Sequence, residues 1–538
     1  MIGHSSFQPR NFCAKLSGVR SFIRYSTDDS FGYSVTVHQL FDSPSGMSME
    51  DILNQTLIMV GAPRGAYPGG LEYTEVPPSS LACLQFNLFA TNMEDILACY
   101  NQTGMHNRTG LVYQCSLSSG SCTAPLGNGD PEAPDGQLFD RVGDIDKYSH
   151  GLSDDYADFL FIQSKEGQQM GATVYSEDGY FVACAPLWEY TDFNYQGSQP
   201  RGQCVYSGRS LKNFLRIDPC FIGYNLNQYG EGFCEAGFFA STSSTPLSES
   251  NFTGPVLMIG TPGRDFSRGG VFYYNPLDTL NDTFIQSTLS LGRSVSFYSN
   301  SNSTVPLDSS LVGQAPTVRP SSFALTSGFL TNQTVKDVVV SAPKYNQTTQ
   351  VGRVYIVTNA SKVPTLFIDG DQFGEQFGYS IATTDLNGDG WDDILVGAPF
   401  YIDTTTRHFE SGRVAIYRND GTGTGNFEYS GSVLGQTNFG RFGMSLATLG
   451  DINNDGYNDF AVGAPFDGDG VVYIYYGQNV NGSIVNTTIQ QVINGTKVAG
   501  QVTNLTSVSS FGFSLCGSTD IDQNEYRDLV VGAFESQS

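Results

Sequence analysis

The chain repeats itself, and this self-similarity constrains the fold more than any other feature. A Phe-Gly-x-Ser unit followed about twenty residues later by Val-Gly-Ala-Pro occurs at Phe377-Gly378 with Val396-Gly397-Ala398-Pro399, and again at Phe442-Gly443 with Val462-Gly463-Ala464-Pro465. A third copy pairs Phe511-Gly512 with Val531-Gly532-Ala533-Phe534, at spacings of 65, 66 and 69 residues. Weaker copies precede these: Phe31-Gly32 with Val60 to Pro63, Met170-Gly171 with Ala183 to Pro186, Ala236-Gly237 with Ile259 to Pro262, and Leu291-Gly292 with Val340 to Pro343. After most of the Gly-Ala-Pro corners comes a strand rich in β-branched and aromatic residues, such as Val414-Ala415-Ile416-Tyr417.

Units of this size, with short strands and no helical periodicity, cannot bury their own faces. Seven of them arranged radially can, because each sheet packs on the next and only short edges remain exposed. The expected fold class is therefore all-β, one seven-bladed β-propeller over residues 31–538, entered by a segment at 1–30 and carrying an insertion at about 64–110 in the first repeat. A string of β-sandwiches is the alternative, but it gives no reason for the same corner to recur once per unit.

Between the Phe-Gly and the Gly-Ala of each of the last three repeats lies an acidic nine-residue loop, at 385–393, 451–459 and 520–528. Oxygen ligands at positions 1, 3, 5 and 9, with the backbone carbonyl of position 7, suit a hard cation of calcium size. The expected ligands are Asp385, Asn387, Asp389, Trp391 and Asp393; then Asp451, Asn453, Asp455, Tyr457 and Asp459; then Asp520, Asp522, Asn524, Tyr526 and Asp528. Gly390 and Gly456 permit the bend at position 6, where the third loop has Glu525, which makes the third of the three Ca2+ sites the weakest. These are not EF-hands: position 12 is Val396, Val462 or Val531, where an EF-hand needs a bidentate Glu. The fourth repeat keeps only Asp337, and no cation is expected there.

Lys+Arg number 27 against Asp+Glu 53, a net charge of −26, which excludes binding to nucleic acid or anionic membranes as the main activity. No run of 18 apolar residues occurs, so membrane attachment is expected only through segments outside this sequence. Thirteen Asn-x-Ser/Thr acceptors, from Asn54 to Asn504, favour an extracellular glycoprotein. The ten cysteines agree, since several form short closable pairs: Cys115 with Cys122, Cys184 with Cys204, Cys220 with Cys234, and Cys83 with Cys99 as a further candidate. Zinc ligation, the rival use of cysteine, lacks CxxC knuckles or nearby His. The five histidines share no motif, and no nucleophile elbow, P-loop or His-Glu-x-x-His is present, so no enzymatic role is expected.

Together with Cys184-Ala185-Pro186, Gly232-Phe233-Cys234 and Asn438-Phe439-Gly440-Arg441-Phe442-Gly443, these repeats and loops resemble the head of an integrin alpha subunit, from about Phe31 to Phe534. The resemblance implies a cell-surface adhesion receptor that pairs with an integrin beta subunit and binds extracellular matrix or cell-surface protein ligands. Between Pro186 and Gly260 there is no room for the inserted metal-binding domain of some members. Repeats of this kind also occur in a glycosylphosphatidylinositol-cleaving phospholipase, so the scaffold propeller of a secreted hydrolase is the alternative reading. In the family, the residue after each Phe-Gly glycine lies near the central channel, where aromatic rings cage a basic side chain of the beta subunit. The matching residues are Tyr33, Ala172, Phe238, Arg293, Tyr379, Met444 and Phe513, of which Tyr33, Phe238, Tyr379 and Met444 are the leading candidates for partner contact. The stretches matching the family's Arg-Gly-Asp pocket, 224–229 and 286–289, lack a carboxylate, which points to a ligand without that dependence.

Overall fold

The computed structural model describes residues 30–64, 110–123, 145–148, 159–164, 168–177, 179–192, 197–211, 214–217, 220, 234–243, 256–262, 270–274, 293–296, 324–345, 350–358, 366–499 and 508–534. They form an all-β propeller. Its inner strands follow one another around a ring: Ser34–Gln39, Thr173–Glu177, Ala240–Ser243, Leu325–Gly328, Ser380–Thr384, Ser445–Gly450, Phe511–Thr519, and back to Ser34–Gln39. All but the last open a four-stranded antiparallel sheet, and Phe511–Thr519 pairs with Asp528–Ala533. One further four-stranded sheet, formed by Ile145–Tyr148, Phe159–Ser164, Glu189–Asp192 and Gly197–Pro200, contributes no strand to this ring.

The repeated residues are the joints between blades. The Phe377, Phe442 and Phe511 rings are at most 1% exposed and fill the seams. One apolar cluster joins Leu395, Val414 and Ile416 of one blade to Phe442, Phe460 and Val462 of the next, so the core lies between sheets. The Ser hydroxyl of each Phe-Gly-x-Ser donates to the glycine carbonyl of the following blade: Ser34 to Gly171 at 2.8 Å, Ser380 to Gly443 at 2.7 Å and Ser445 to Gly512 at 2.6 Å. Opposite that Ser in register stands the glycine of Val-Gly-Ala, as in Ser380 facing Gly397 and Ser445 facing Gly463. A Cβ at Gly397 or Gly463 would overlap the same carbonyl, which is why the corner keeps glycine.

One repeat differs from the expectation. The blade holding Asp337–Ala342 begins at Leu325–Gly328, preceded by Ala324, and not at Leu291-Gly292. The segment Arg293–Ser296 is instead the outer strand of the preceding blade, paired with Gly270–Tyr274. Arg293 therefore has no place among the residues near the channel; Leu325 faces Val340 as Ile381 faces Val396 in the next blade, so the position matching Tyr379 is 323, outside the described residues. The physical reason is that the motif's serine and its facing glycine are both replaced here: Ala324 stands where Ser380 stands in the next blade, and Ser341 where Gly397 does. The Ser341 hydroxyl accepts from the Ala324 N–H at 2.9 Å, and the Ser341 N–H donates to the Ala324 carbonyl at 3.0 Å.

Disulfides join Cys115 to Cys122, Cys184 to Cys204 and Cys220 to Cys234. Cys13, Cys83, Cys99 and most of the 64–110 insertion lie outside the described residues. No helix among the described residues is long and apolar enough to cross a membrane.

Candidate metal loops and partner face

The three acidic loops fold alike because each is wound around its first aspartate. Asp385 accepts the N–H groups of Gly388 at 2.8 Å and of Asp389 at 3.2 Å through Oδ1, and that of Gly390 at 2.8 Å through Oδ2. Asp451 accepts from Asp455 at 3.0 Å and Gly456 at 2.7 Å, and Asp520 from Asn524 at 3.1 Å and Glu525 at 2.9 Å. Positions 3 and 5 are tied side chain to side chain, Asn387 to Asp389, Asn453 to Asp455 and Asn524 to Asp522, at 2.8 to 3.0 Å. The N–H groups of Trp391, Tyr457 and Tyr526 donate to the side chain at position 5, which fixes the peptide that follows. Position 9 closes the loop: Asp393, Asp459 and Asp528 accept from Leu386, Ile452 and Ile521 at 2.8 to 3.0 Å.

These closing aspartates are buried, at 0%, 0% and 4% exposure. Burial, with the nearby charges of Asp389 and Asp385, pushes the Asp393 carboxyl up to about 8 despite its two backbone hydrogen bonds. The same burial, with Asp455 and Asp451, raises Asp459 to about 8. Several carboxylates in one small loop thus carry a cost that a hard divalent cation would relieve, and a donor set made only of oxygens fits calcium. The third loop fits as well: ligand oxygens of Asp520, Asp522 and Asp528 all lie within 4.8 Å of one another. Its weakness is the backbone, since Glu525 has φ +74° where Gly390 and Gly456 have +85° and +93°. In the fourth repeat Asp337 accepts both the N–H and the hydroxyl of Thr331 at 2.7 Å.

Sequence reasoning overlooked two supports of the first loop. Asn419 donates its N–H to Asp393 at 2.9 Å and its amide to the carbonyls of Leu330 and Asp392. Asp392, the residue beside ligand position 9, accepts the Phe329 N–H of the preceding blade at 2.7 Å. The doubled Asp392-Asp393 was the available signal.

Of the residues expected at the partner face, Tyr33, Phe238, Tyr379 and Met444 are all partly buried. Tyr33 packs on Phe513 at 4.9 Å and on Phe534 at 5.8 Å, so Phe534, in the place of the usual proline, joins the cluster unforeseen. Burial and then the neighbouring Tyr33 hydroxyl raise the Tyr379 hydroxyl, while the Arg441 guanidinium opposes them. Arg441 itself stacks on Phe400 at 3.7 Å and pairs with Glu410 at 2.6 Å. The stretches 224–229 and 286–289 lie outside the described residues.

Blade-joining glycines with cation-type loops define a class, and the FG-GAP repeat model matches residues 377–417 and 442–475. This is an FG-GAP repeat propeller. Over its propeller region the chain is homologous to the integrin alpha subunits. It is 32% identical to integrin alpha-8 of Gallus gallus over 383 residues, covering 69% of this chain and 33% of the relative. Against integrin alpha-PS2 of Drosophila melanogaster it is 33% identical over 399 residues, 70% of this chain and 26% of the relative. Against integrin alpha-V of Gallus gallus it is 30% identical over 438 residues, 79% and 36% respectively. The chain thus spans about a third of the length of the curated relatives it matches.

Proposed function

We propose that this chain is the ligand-binding head of an integrin-like alpha subunit, a seven-bladed propeller at the cell surface that pairs with a beta subunit and meets extracellular protein ligands across the joint face. The observation that carries this reading is the recurrence of three like-wound acidic loops, in register with the blades, in a chain 30% to 33% identical to integrin alpha subunits. The inner-strand ring supports the blade count, and the aromatic cluster around Tyr33 supports the partner face.

Calcium, bound at the three loops, would supply neutralisation of carboxylate charge and no chemistry of reaction. The chain's own residues do the rest. The first aspartate of each loop gathers the backbone, the position 7 carbonyls of Trp391, Tyr457 and Tyr526 would offer the ion further oxygens, and the buried ninth aspartate ties the loop to the second strand of its blade. Rigid loops of this kind fix how neighbouring blades meet, and through them the face offered to a partner.

Co-expression with beta-type subunits in secretory cells tests the reading. Recovery of the chain in a stoichiometric complex with one of them is expected; secretion as a stable single chain whichever beta subunit is supplied would reject the heterodimer.

A further inference from the structure

The three loops are not equally spaced in their contacts. The Asn458 N–H, between ligand positions 7 and 9 of the second loop, donates to the carbonyl of Asp385, position 1 of the first, at 3.2 Å. Gly388 of the first loop lies where a Cβ would sit 3.1 Å from the Gly456 carbonyl and 3.3 Å from the Tyr457 ring. The hairpin Gly477–Val480 with Ser483–Val485, an extension of the second loop's blade, fastens the pair together. Its Gly477 N–H donates to Asp459 Oδ1 at 3.1 Å, while a Cβ on Gly477 would overlap the carbonyls of both Asn458 and Leu386. Farther along, the Asn479 amide reaches the Asn387 carbonyl at 3.4 Å, and Ile484 and Val485 share an apolar cluster with Leu386.

The junction between the second and third loops is built differently. Among the described residues no backbone hydrogen bond joins them. A cavity of about 340 Å³ lies between them, lined in part by Asp451, Asn454, Glu525 and Tyr526, and the flexible Arg527 side chain crosses it, to 3.2 Å from where a Gly450 Cβ would sit.

We infer that the first and second loops bind calcium as a coupled pair, and that the third binds independently. The inference rests on the calcium reading above. Ordering the second loop fixes Tyr457 and Asp459, and with them the intervening Asn458 N–H and the Gly477 wedge. Residues 1 to 4 of the first loop then meet a wall already in place, so less ordering remains for the first ion, and the coupling runs equally in the other direction.

Trp391 gives the readout, because it occupies position 7 of the first loop, and the only other tryptophan, Trp188, is 2% exposed in a different blade. The full chain is titrated with calcium while Trp391 emission and heat are recorded, Trp391→Phe identifying that residue's share of the signal. Asp455→Asn and Asp451→Asn, both isosteric and both in the second loop, are each expected to move the Trp391 midpoint to calcium concentrations about 5-fold higher or more. Asp522→Asn in the third loop is expected to leave it within about 2-fold. A midpoint within about 2-fold in both second-loop variants, with folding verified by a cooperative melt, overturns the coupling and leaves the calcium reading standing. A chain whose Trp391 emission and heat are both indifferent to calcium overturns the two together.

Discussion

The Ser514 hydroxyl donates to the carbonyl of Gly32 at 3.0 Å, joining residues 482 apart in sequence and closing the ring of inner strands. Every other joint of the ring links blades adjacent in the chain, so this one alone carries the full entropy of closure. Ser514→Ala should cost about 1 kcal/mol, the ordinary net value of such a bond. Gly532→Ala should cost about 3 kcal/mol or more, since a Cβ there overlaps both the Ser514 hydroxyl and the Gly32 carbonyl. Thermal melts and limited proteolysis check both, and cleavage near residues 30–40 in the Gly532 variant is the expected sign of an opened ring. Equal melting temperatures for the two variants would remove the steric argument.

Chelation should lower the melting temperature, because the loops contribute stability only once their mutual repulsion is relieved. Asp389→Ala and Asp455→Ala should each blunt the difference between calcium and chelator. Asp392→Ala should behave otherwise: it removes a clasp to Phe329 that does not need an ion, so it should destabilise by about 1 to 3 kcal/mol with or without calcium. Scanning calorimetry in both buffers separates the cases, and identical melts of the unmodified chain in calcium and in chelator would end the structural role of the ion.

Glu525 occupies a left-handed backbone position at φ +74°, which costs a residue with a Cβ roughly 1 to 2 kcal/mol. Glycine at the same place loses about 0.5 to 1 kcal/mol of unfolded-state freedom, leaving a net gain near 1 kcal/mol. Glu525→Gly should therefore raise the melting temperature in calcium and in chelator alike. A lowered melting temperature in both would show that the Glu525 side chain stabilises the loop by more than its backbone costs.

What was legible in the sequence follows from these contacts. Phe377, Gly397 and Ser380 recur because a seam between blades has one geometry: a buried ring, a glycine without room for Cβ, and a hydroxyl reaching the next carbonyl. The loops were legible because ligand spacing on nine residues is local. The fourth inner strand was not, since Ala324 takes the serine's place and Ser341 the glycine's, and the joint is recovered through the Ser341 side chain, a compensation with no repeat signature. Nor was the Gly477–Val485 hairpin, which belongs to one blade only and touches Asn387 some ninety residues earlier. The aromatic cluster at the proposed partner face was half legible: Tyr33 and Phe513 follow the repeat glycines, but Phe534 enters from another loop.

The aromatic cluster at that face yields the last expectation. Tyr33, Phe513 and Phe534 lie with centroids 4.5 to 5.8 Å apart, and Tyr379 is close enough to Tyr33 for the two hydroxyls to influence each other. Arg293 lies on the outer strand of the preceding blade, paired with Gly270–Tyr274, so the arginine expected at this face to repel an incoming cation is gone. Arg441, beside Tyr379, is engaged by Phe400 and Glu410, while Arg64 stands near Tyr33. A basic side chain of a beta subunit entering here would gain about 2 kcal/mol over a ring face in a desolvated site, roughly 30-fold in affinity. Tyr379→Leu and Phe513→Leu keep apolar volume and remove the π face, so the isolated chain should melt nearly as before while recovery of the heterodimer falls by about that factor. Co-purification measured against a beta subunit at limiting concentration makes the test. Unchanged recovery in both variants would assign the rings to packing alone, and a fall in recovery matched by a fall in melting temperature would mean the same.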